Sequence, residues 1–459
     1  MFFKQILVEG MGCLSYLIGC PKAKTACVVD PQREVTGYLD LARQNGMKIT
    51  RIFETHIHAD HISGNMELQA MTGADIFLMA GTPVTYEHQT VEEGETLTIG
   101  SVKLKFIKTP GHTPDAMSIL VTDKSRMDQP WLVLTGDCMF VGDVGRPDLA
   151  GRELLDEQVN NLYQSLFNKL LKMPSGLEVF PAHGDGSMCG RGMSSKTSST
   201  IGFEQMANPL FSLSKEDFIQ KMSSVFPSRP KSFSHIIAMN KKGPNLLKDC
   251  IVPQVMSPMQ FKEKIANGAL VLDTRDTAAF GGVNIPGSLN IGLAKQTANW
   301  ISMVIEPEAE LALIVDSDEA FQAMCSHLHR IGYDNIIGYL YGGMKAWQEE
   351  GYEITQLWQI SIDKLRDKLN SKRHGHFFDV RSEAERENGY IEGSESFPLP
   401  KMLKQAPDLP KDEEIIVTCQ VGYRGNIAAS YLQKLGFQHV HSLAGGYKAW
   451  NNAGYPSVS

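Results

Sequence analysis

Three histidines and an aspartate fall within six residues of this 459-residue chain: His56, His58, Asp60 and His61, in the stretch FETHIHADHISGN. Imidazoles and carboxylates bind transition metals. Crowding them together costs desolvation and repulsion unless a cation or extensive pairing compensates. Three more residues of ligand type close apolar runs and open glycine-rich turns: His112 in TPGHTPD, Asp137 in LTGDCMFVGD and His183 in FPAHGDG. Together these residues fit a metal centre. A separate nucleophile, Cys419, ends EIIVT and opens CQVGYRGN, with Gly422 and Arg424 close behind. Such a turn curls backbone N–H groups around the sulfur, and the helix after it adds partial positive charge. Arg424 adds a full charge. Those surroundings stabilise a thiolate, a terminal persulfide or a bound oxyanion.

Rigid elements must aim these groups. KITRIFET reads as a strand; if it continues through His58, then His56 and His58 point the same way, because strand side chains alternate. A turn into the next helix would bring Asp60 and His61 back to the same point. His112, Asp137 and His183 each follow an apolar strand, a firm support for a site. The C-terminal part repeats itself: ALVLDTRDTAAFGGVNIPGSLNI pairs with FFDVRSEAERENGYIEGSESFPL, and the two copies close on Trp347 and Trp450. A repeat this long means two homologous domains, each of short strands alternating with helices. EIIVT is an uninterrupted apolar run, as in a central parallel strand. The expected fold class is multi-domain α/β, with domains at 1–248, 251–355 and 356–459. FPSRPKSF marks the approach to a linker.

Composition narrows the partners. Net charge is −8, with no basic cluster, which argues against nucleic acid. The apolar runs fall short of the ~18 residues that span a bilayer, so no membrane partner is expected. The N-terminal MFFKQILVEGMGCLSYLIGC is broken by Lys4, Glu9 and glycines, and reads as strands rather than a signal peptide. Eight cysteines without framework spacing suggest reduced thiols in a cytoplasm. Cys138 and Cys325 read as core. Cys189, in the glycine-rich loop after His183, is either a thiol relay beside the metal or an inert loop residue.

The histidine and aspartate motifs resemble those of the metallo-β-lactamase superfamily over about the first 240 residues. The resemblance implies an αββα sandwich with metal at one edge of two facing sheets. GDVGRPDLAG resembles a segment of persulfide dioxygenases, which implies that Arg146 and Asp148 bind substrate; the alternative is a salt bridge between them. By the same resemblance His56, His112 and Asp137 hold one Fe(II) per chain, with O₂ as co-substrate. A facial triad of this kind leaves open positions on the metal. His58, Asp60, His61 and His183 then support the ligands or hold water, or else complete a second metal site. Ligand count leaves that choice open; the sulfur context favours one iron.

The Cys419 loop, FDVRSEAERENGYIEGSESFPL and AGGYKAW resemble rhodanese domains, which implies that Cys419 accepts sulfane sulfur beside Arg424. The first copy has Asp316 in place of the cysteine and lacks the glycine and arginine, so it reads as an inactive rhodanese fold. The whole chain resembles persulfide dioxygenase–rhodanese fusions of sulfide detoxification. Those enzymes imply a small thiol persulfide, of the glutathione, coenzyme A or bacillithiol type, oxidised to sulfite. Sulfane sulfur then passes through Cys419 to or from thiosulfate. They also imply a homo-oligomer, dimer or tetramer. Two competing readings are a binuclear thioesterase of the glyoxalase II type fused to a sulfurtransferase, and a non-catalytic sulfur carrier or sensor.

Overall fold

The computed structural model describes residues 1–8, 10–190, 192–224, 229–371 and 375–458; part of the expected linker approach, 226–228, lies outside them. The chain divides into one unit of Met1–Cys250 with His329–Gly332 and another of Ile251–Leu328 with Tyr333–Ser459.

The first unit is built on two six-stranded sheets. One contains β1 (Phe2–Val8), β2 (Cys13–Cys20), β3 (Thr25–Val29), β4 (Lys48–Phe53), β5 (Asp75–Met79) and β6 (Gln89–Val91), side by side in chain order. The other contains β7 (Thr96–Ile99), β8 (Val102–Lys108), β9 (Met117–Asp123), β10 (Leu132–Gly136), β11 (Glu178–Pro181) and β12 (Ser199–Thr200). Both apolar N-terminal runs are strands, paired in register from Phe2 with Gly19 to Val8 with Cys13. Neighbouring residues on a strand turn to opposite faces. Ile18, Phe106 and Val121 therefore fill the core between the sheets, while Leu17 faces the helix Thr36–Gln44. Ile107 and Leu120 face the helix Leu155–Tyr163 on the other side. The result is helix, sheet, sheet, helix.

Strand direction positions the ligand-type residues. β8 and β10 both run antiparallel to β9, and β11 runs parallel to β10. The three therefore point the same way, and the loops carrying His112, Asp137 and His183 all leave from one end of the sheet.

The second unit holds two five-stranded parallel sheets of identical order. The first copy arranges Gln254–Met256, Ile336–Leu340, Leu311–Ile314, Leu270–Asp273 and Leu289–Asn290 side by side. The second copy arranges Trp358–Ile360, His439–Leu443, Glu414–Thr418, His376–Asp379 and Glu395–Ser396. The strand ending at Cys419 is central and buried from Ile415 onward, which explains its unbroken apolar run. Each copy also keeps a buried arginine forked onto the aspartate two residues earlier, Arg275 on Asp273 and Arg381 on Asp379. No helix among the described residues is long and apolar enough to cross a membrane.

Candidate functional site

β4 stops at Phe53, and no helix begins before Asn65, so the histidine cluster lies on a loop. This corrects the expectation that His56 and His58 share a strand face. The two rings are neighbours, with centroids 4.2 Å apart, but their far nitrogens diverge. His58 Nε2 lies 3.2 Å from both Asp30 Oδ1 and Glu54 Oε2. Burial opposes its charge, yet the Asp30 and Glu54 carboxylates pull its pKa up to about 10. Its other nitrogen, Nδ1, is buried without a hydrogen-bond partner.

His56 Nε2 and His112 Nε2 instead converge on Asp137 Oδ2, at 3.8 and 3.3 Å. Their hydrogen-bond partners fix the tautomers. The Thr55 hydroxyl donates to Asp30 at 2.8 Å, so toward His56 Nδ1, 3.0 Å away, it is the acceptor. The Arg146 carbonyl can only accept, and it takes the Nδ1–H of His112 at 3.0 Å. Each imidazole thus presents a bare Nε2. Burial lowers the pKa of both rings; for His56 the His58 charge adds to it, while for His112 Asp137 opposes it. His56 Nε2, His112 Nε2 and Asp137 Oδ2 are all buried without a hydrogen-bond partner. Leaving one such atom unpaired costs about 1–3 kcal/mol, and three aimed at one point fit a cation. The donor set, two neutral nitrogens and one carboxylate, is that of a facial triad.

The second oxygen of Asp137 is held by His183, whose Nδ1 lies 2.6 Å from Oδ1. On its other side His183 Nε2 sits 2.8 Å from Asp60 Oδ2, at an angle that makes an ion pair but not a hydrogen bond. Burial works against the charge on His183, but Asp137 and Asp60 hold its pKa well above the ordinary value. Asp60 also meets His61 Nδ1 at 3.1 Å and accepts from the Cys13 thiol at 3.4 Å. Asp60, His61 and His183 therefore form a group of their own with Cys13, separate from the triad but joined to it through His183. Cys189 is buried beside His183 and Asp137; burial, then Asp60, push its pKa well above the usual thiol range. Cys138 packs in the core, and Cys325 is a buried helix residue.

Arg146 is wholly buried and forks onto Asp148 at 2.8 and 2.6 Å, with Met188 O at 3.2 Å. The salt bridge between the two is formed, and what this segment gives the triad is the Arg146 carbonyl. Gly145 lets it do so: a Cβ there would lie 1.8 Å from Asp137 O. Ile57 and Thr113, the residues after His56 and His112, line a cleft of about 550 Å³ whose walls include Leu149, Lys108, Arg229 and Lys241.

In the second unit, Gly422 N–H donates to Cys419 Sγ at 3.2 Å. Gly422 has φ +98° and opens the helix Tyr423–Lys434, so the turn wraps the sulfur as the spacing suggested. Arg424 shares its charge with Glu385, at 2.7 Å. In the first copy the strand Leu311–Ile314 ends two residues before Asp316, and Asp318 accepts from the Tyr339 hydroxyl at 2.9 Å. No sulfur stands there.

Residues 8–183 match the metallo-beta-lactamase superfamily, and 257–350 and 361–453 each match the rhodanese-like domain. A crystal structure of a metallo-beta-lactamase from Staphylococcus aureus subsp. aureus COL is 32% identical, with a TM-score of 0.65. The alignment covers 74% of this chain and 98% of that one. The chain belongs to the metallo-β-lactamase superfamily. This superfamily member carries two rhodanese-like domains behind its lactamase fold. Its first half is 26% identical over 230 residues to the mitochondrial persulfide dioxygenase ETHE1 of Mus musculus, covering 50% of this chain and 83% of that protein. It is also 33% identical over 173 residues to a hydroxyacylglutathione hydrolase of Polaromonas sp., covering 37% and 61%.

Cys13, Asp30 and Glu54 take part in this metallo-β-lactamase site and escaped the sequence reading. Cys13 sits far upstream, in GMGCLSY, and reaches the site because β2 begins by bridging to His183. Asp30, the partner of His58 and Thr55, follows β3 at a positive φ of 51°. A carboxylate directly after an apolar strand was the available signal, the same one that pointed to Asp137.

Proposed function

We propose that this chain oxidises small-molecule thiol persulfides with O₂ at one iron(II) held by His56, His112 and Asp137, and that Cys419 transfers sulfane sulfur. The observation that carries this reading is the convergence of His56 Nε2, His112 Nε2 and Asp137 Oδ2, three buried atoms without a hydrogen-bond partner. Similarity to a persulfide dioxygenase over the same residues, and the rhodanese-like domains behind them, support a sulfur substrate. Bound there, iron(II) supplies the O₂ chemistry that side chains lack.

The chain's residues do the rest. Thr55 and the Arg146 carbonyl hold both imidazoles with Nε2 unprotonated. Ile57 and Leu149 give the cleft an apolar wall for the thiol carrier, and Lys108, Arg229 and Lys241 meet its anionic groups. The reaction balances as RSSH + O₂ + H₂O giving RSH and sulfite with two protons. The terminal sulfur gains both oxygen atoms of O₂ and loses four electrons, and water supplies the third oxygen. At Cys419 the thiolate takes the terminal sulfur of a second persulfide and releases RS⁻. Sulfite then attacks that sulfur, regenerating the thiolate as thiosulfate leaves; run backward, the step makes persulfide. The carrier is of the glutathione, coenzyme A or bacillithiol type. Eight free thiols fit a reducing cytoplasm.

A second reading has its own observation. Cys13, Asp60, His61 and His183 form a buried four-donor group, and the similarity to a hydroxyacylglutathione hydrolase fits a binuclear hydrolase. Metal quantification with an oxygen electrode separates the two. The expected result is one iron per chain and O₂ uptake on adding a persulfide; two metals per chain, with thioester hydrolysis and no O₂ uptake, would establish the hydrolase instead.

A further inference from the structure

The loop around the Cys419 sulfur is only three residues long, Gln420 to Gly422, and both its ends are tied. At its start, within the active copy, Tyr447 N–H donates to Cys419 C=O at 2.8 Å and Lys448 N–H to Gln420 C=O at 2.9 Å. At its far end the tie comes from the copy that lacks a nucleophile. Tyr423, the first residue of the helix, donates its hydroxyl to Gly292 C=O at 2.8 Å. Burial pushes the Tyr423 phenol up to about 12, so it stays a neutral donor. Thr297 donates to the same carbonyl at 2.9 Å.

One turn along the helix, Asn426 donates to Asn290 Oδ1 and accepts from Gln359 at 2.7 Å. Asn290 in turn donates to the Asp273 and Arg275 carbonyls, both at 3.0 Å, and its backbone N–H donates to Ser430 Oγ at 3.2 Å. Asn290 and Asn426 are buried at 1% and 0% exposure, and the Asn426 amide crosses to Asn290 Oδ1 while their other amide bonds hold each to its own copy. Buried polar networks of this kind fix geometry because every alternative leaves a group unpaired. A hydrogen bond to sulfur weakens quickly when its donor tilts, so the position of this helix sets the quality of the Gly422 N–H contact.

We propose that the inactive rhodanese copy is the fixed anchor of the sulfur loop, with Tyr423 on Gly292 and Asn426 on Asn290 as positioning residues for Cys419. The proposal rests on reading Cys419 as the sulfane-sulfur carrier. It accounts for a domain kept without a nucleophile.

The test uses full-length Tyr423→Phe and Asn290→Ala, with Tyr333→Phe as control; the Tyr333 hydroxyl donates to Ile305 C=O at 2.7 Å wholly inside the inactive copy. Iodoacetamide alkylation of Cys419 is followed by mass spectrometry as a function of pH, alongside kcat and KM for sulfur transfer from thiosulfate to cyanide. Tyr423→Phe and Asn290→Ala are expected to shift the alkylation profile and lower kcat about three- to tenfold, with KM little changed. Tyr333→Phe is expected to lower Tm while leaving the profile and kcat alone. Wild-type alkylation and turnover in both seam variants, or an equal shift in Tyr333→Phe, would overturn the anchor. If even the wild-type chain forms no persulfide on Cys419, the sulfurtransferase reading fails, and the alkylation profiles still decide the anchoring.

Discussion

At the scale of single residues, His56 and His58 show how little spacing says about role. They are two positions apart and their rings nearly touch, yet His56 turns its Nε2 to Asp137 while His58 turns its own to Asp30 and Glu54. His112→Gln should therefore abolish iron binding and persulfide-dependent O₂ uptake, with metal content per chain as the measurement. His58→Ala should leave one metal per chain but destabilise the first unit by about 3–5 kcal/mol, because Asp30 and Glu54 lose their buried partner. A parallel loss of metal in His58→Ala would place that residue in the ligand set. His56, His112, Asp137 and His183 were legible as candidates because each has a ligand side chain in a recognisable motif. The pairing of His58 was not, since it depends on Asp30, brought in by a neighbouring strand. Outside the sulfur loop, burial raises the pKa of Glu385, but hydrogen bonds from Arg424 and Ser382 hold it down to about 2. A depressed carboxylate adds stability above its unfolded pKa of ~4.3, and that stability is lost as pH falls toward 2. Glu385→Gln should thus be less stable than wild type near neutrality, by under about 1 kcal/mol because the pair is partly exposed. Urea unfolding at falling pH should show that gap closing; a gap constant with pH would remove the ion pair as its source.

Among elements, the strands were readable from apolar runs and the loops were not. β8, β10 and β11 end where apolar periodicity ends, and that alone puts His112, Asp137 and His183 at one end of a sheet. The strand expected to carry His58 stops at Phe53, because the loop beyond it packs its polar groups on Asp30 and Asp115. The rhodanese closing motif AGGYKAW was legible as a pattern, but its physical task appears only in three dimensions. Gly446 has φ +58°, and a Cβ there would come within 2.4 Å of Cys419 O. Gly446→Ala combines backbone strain with a clash against the residue that bears the sulfur. It should cost the sulfur-transfer step at least tenfold while leaving O₂ uptake intact, measured as thiosulfate:cyanide turnover beside an oxygen-electrode trace. Wild-type transfer in that variant would mean the loop tolerates displacement, and the tight cradle would lose its role.

For the whole molecule, the question is why an oxidising site and a sulfur-transfer site share a chain. Under the proposed function, the first consumes a persulfide and yields sulfite, and the second uses sulfite as the acceptor for the sulfur on Cys419. Fusion keeps equal numbers of both sites and raises the local concentration of one near the other, without requiring a channel. Sulfite, on this reading, is released into solution between the two steps. The consequence is testable with two variants, each missing one half. His112→Gln lacks the source of sulfite, and Cys419→Ser lacks the carrier of sulfane sulfur. Alone, Cys419→Ser should consume O₂ and accumulate sulfite with little thiosulfate, and His112→Gln should make neither from persulfide. Mixed in equal amounts, they should restore thiosulfate production after a lag that lengthens on dilution, since sulfite must build up in bulk before it reaches the second protein. Thiosulfate from Cys419→Ser alone at the wild-type rate would show that Cys419 is not the transfer residue. A mixture that never makes thiosulfate, with both halves separately active, would mean that sulfite passes only within one chain or one assembly.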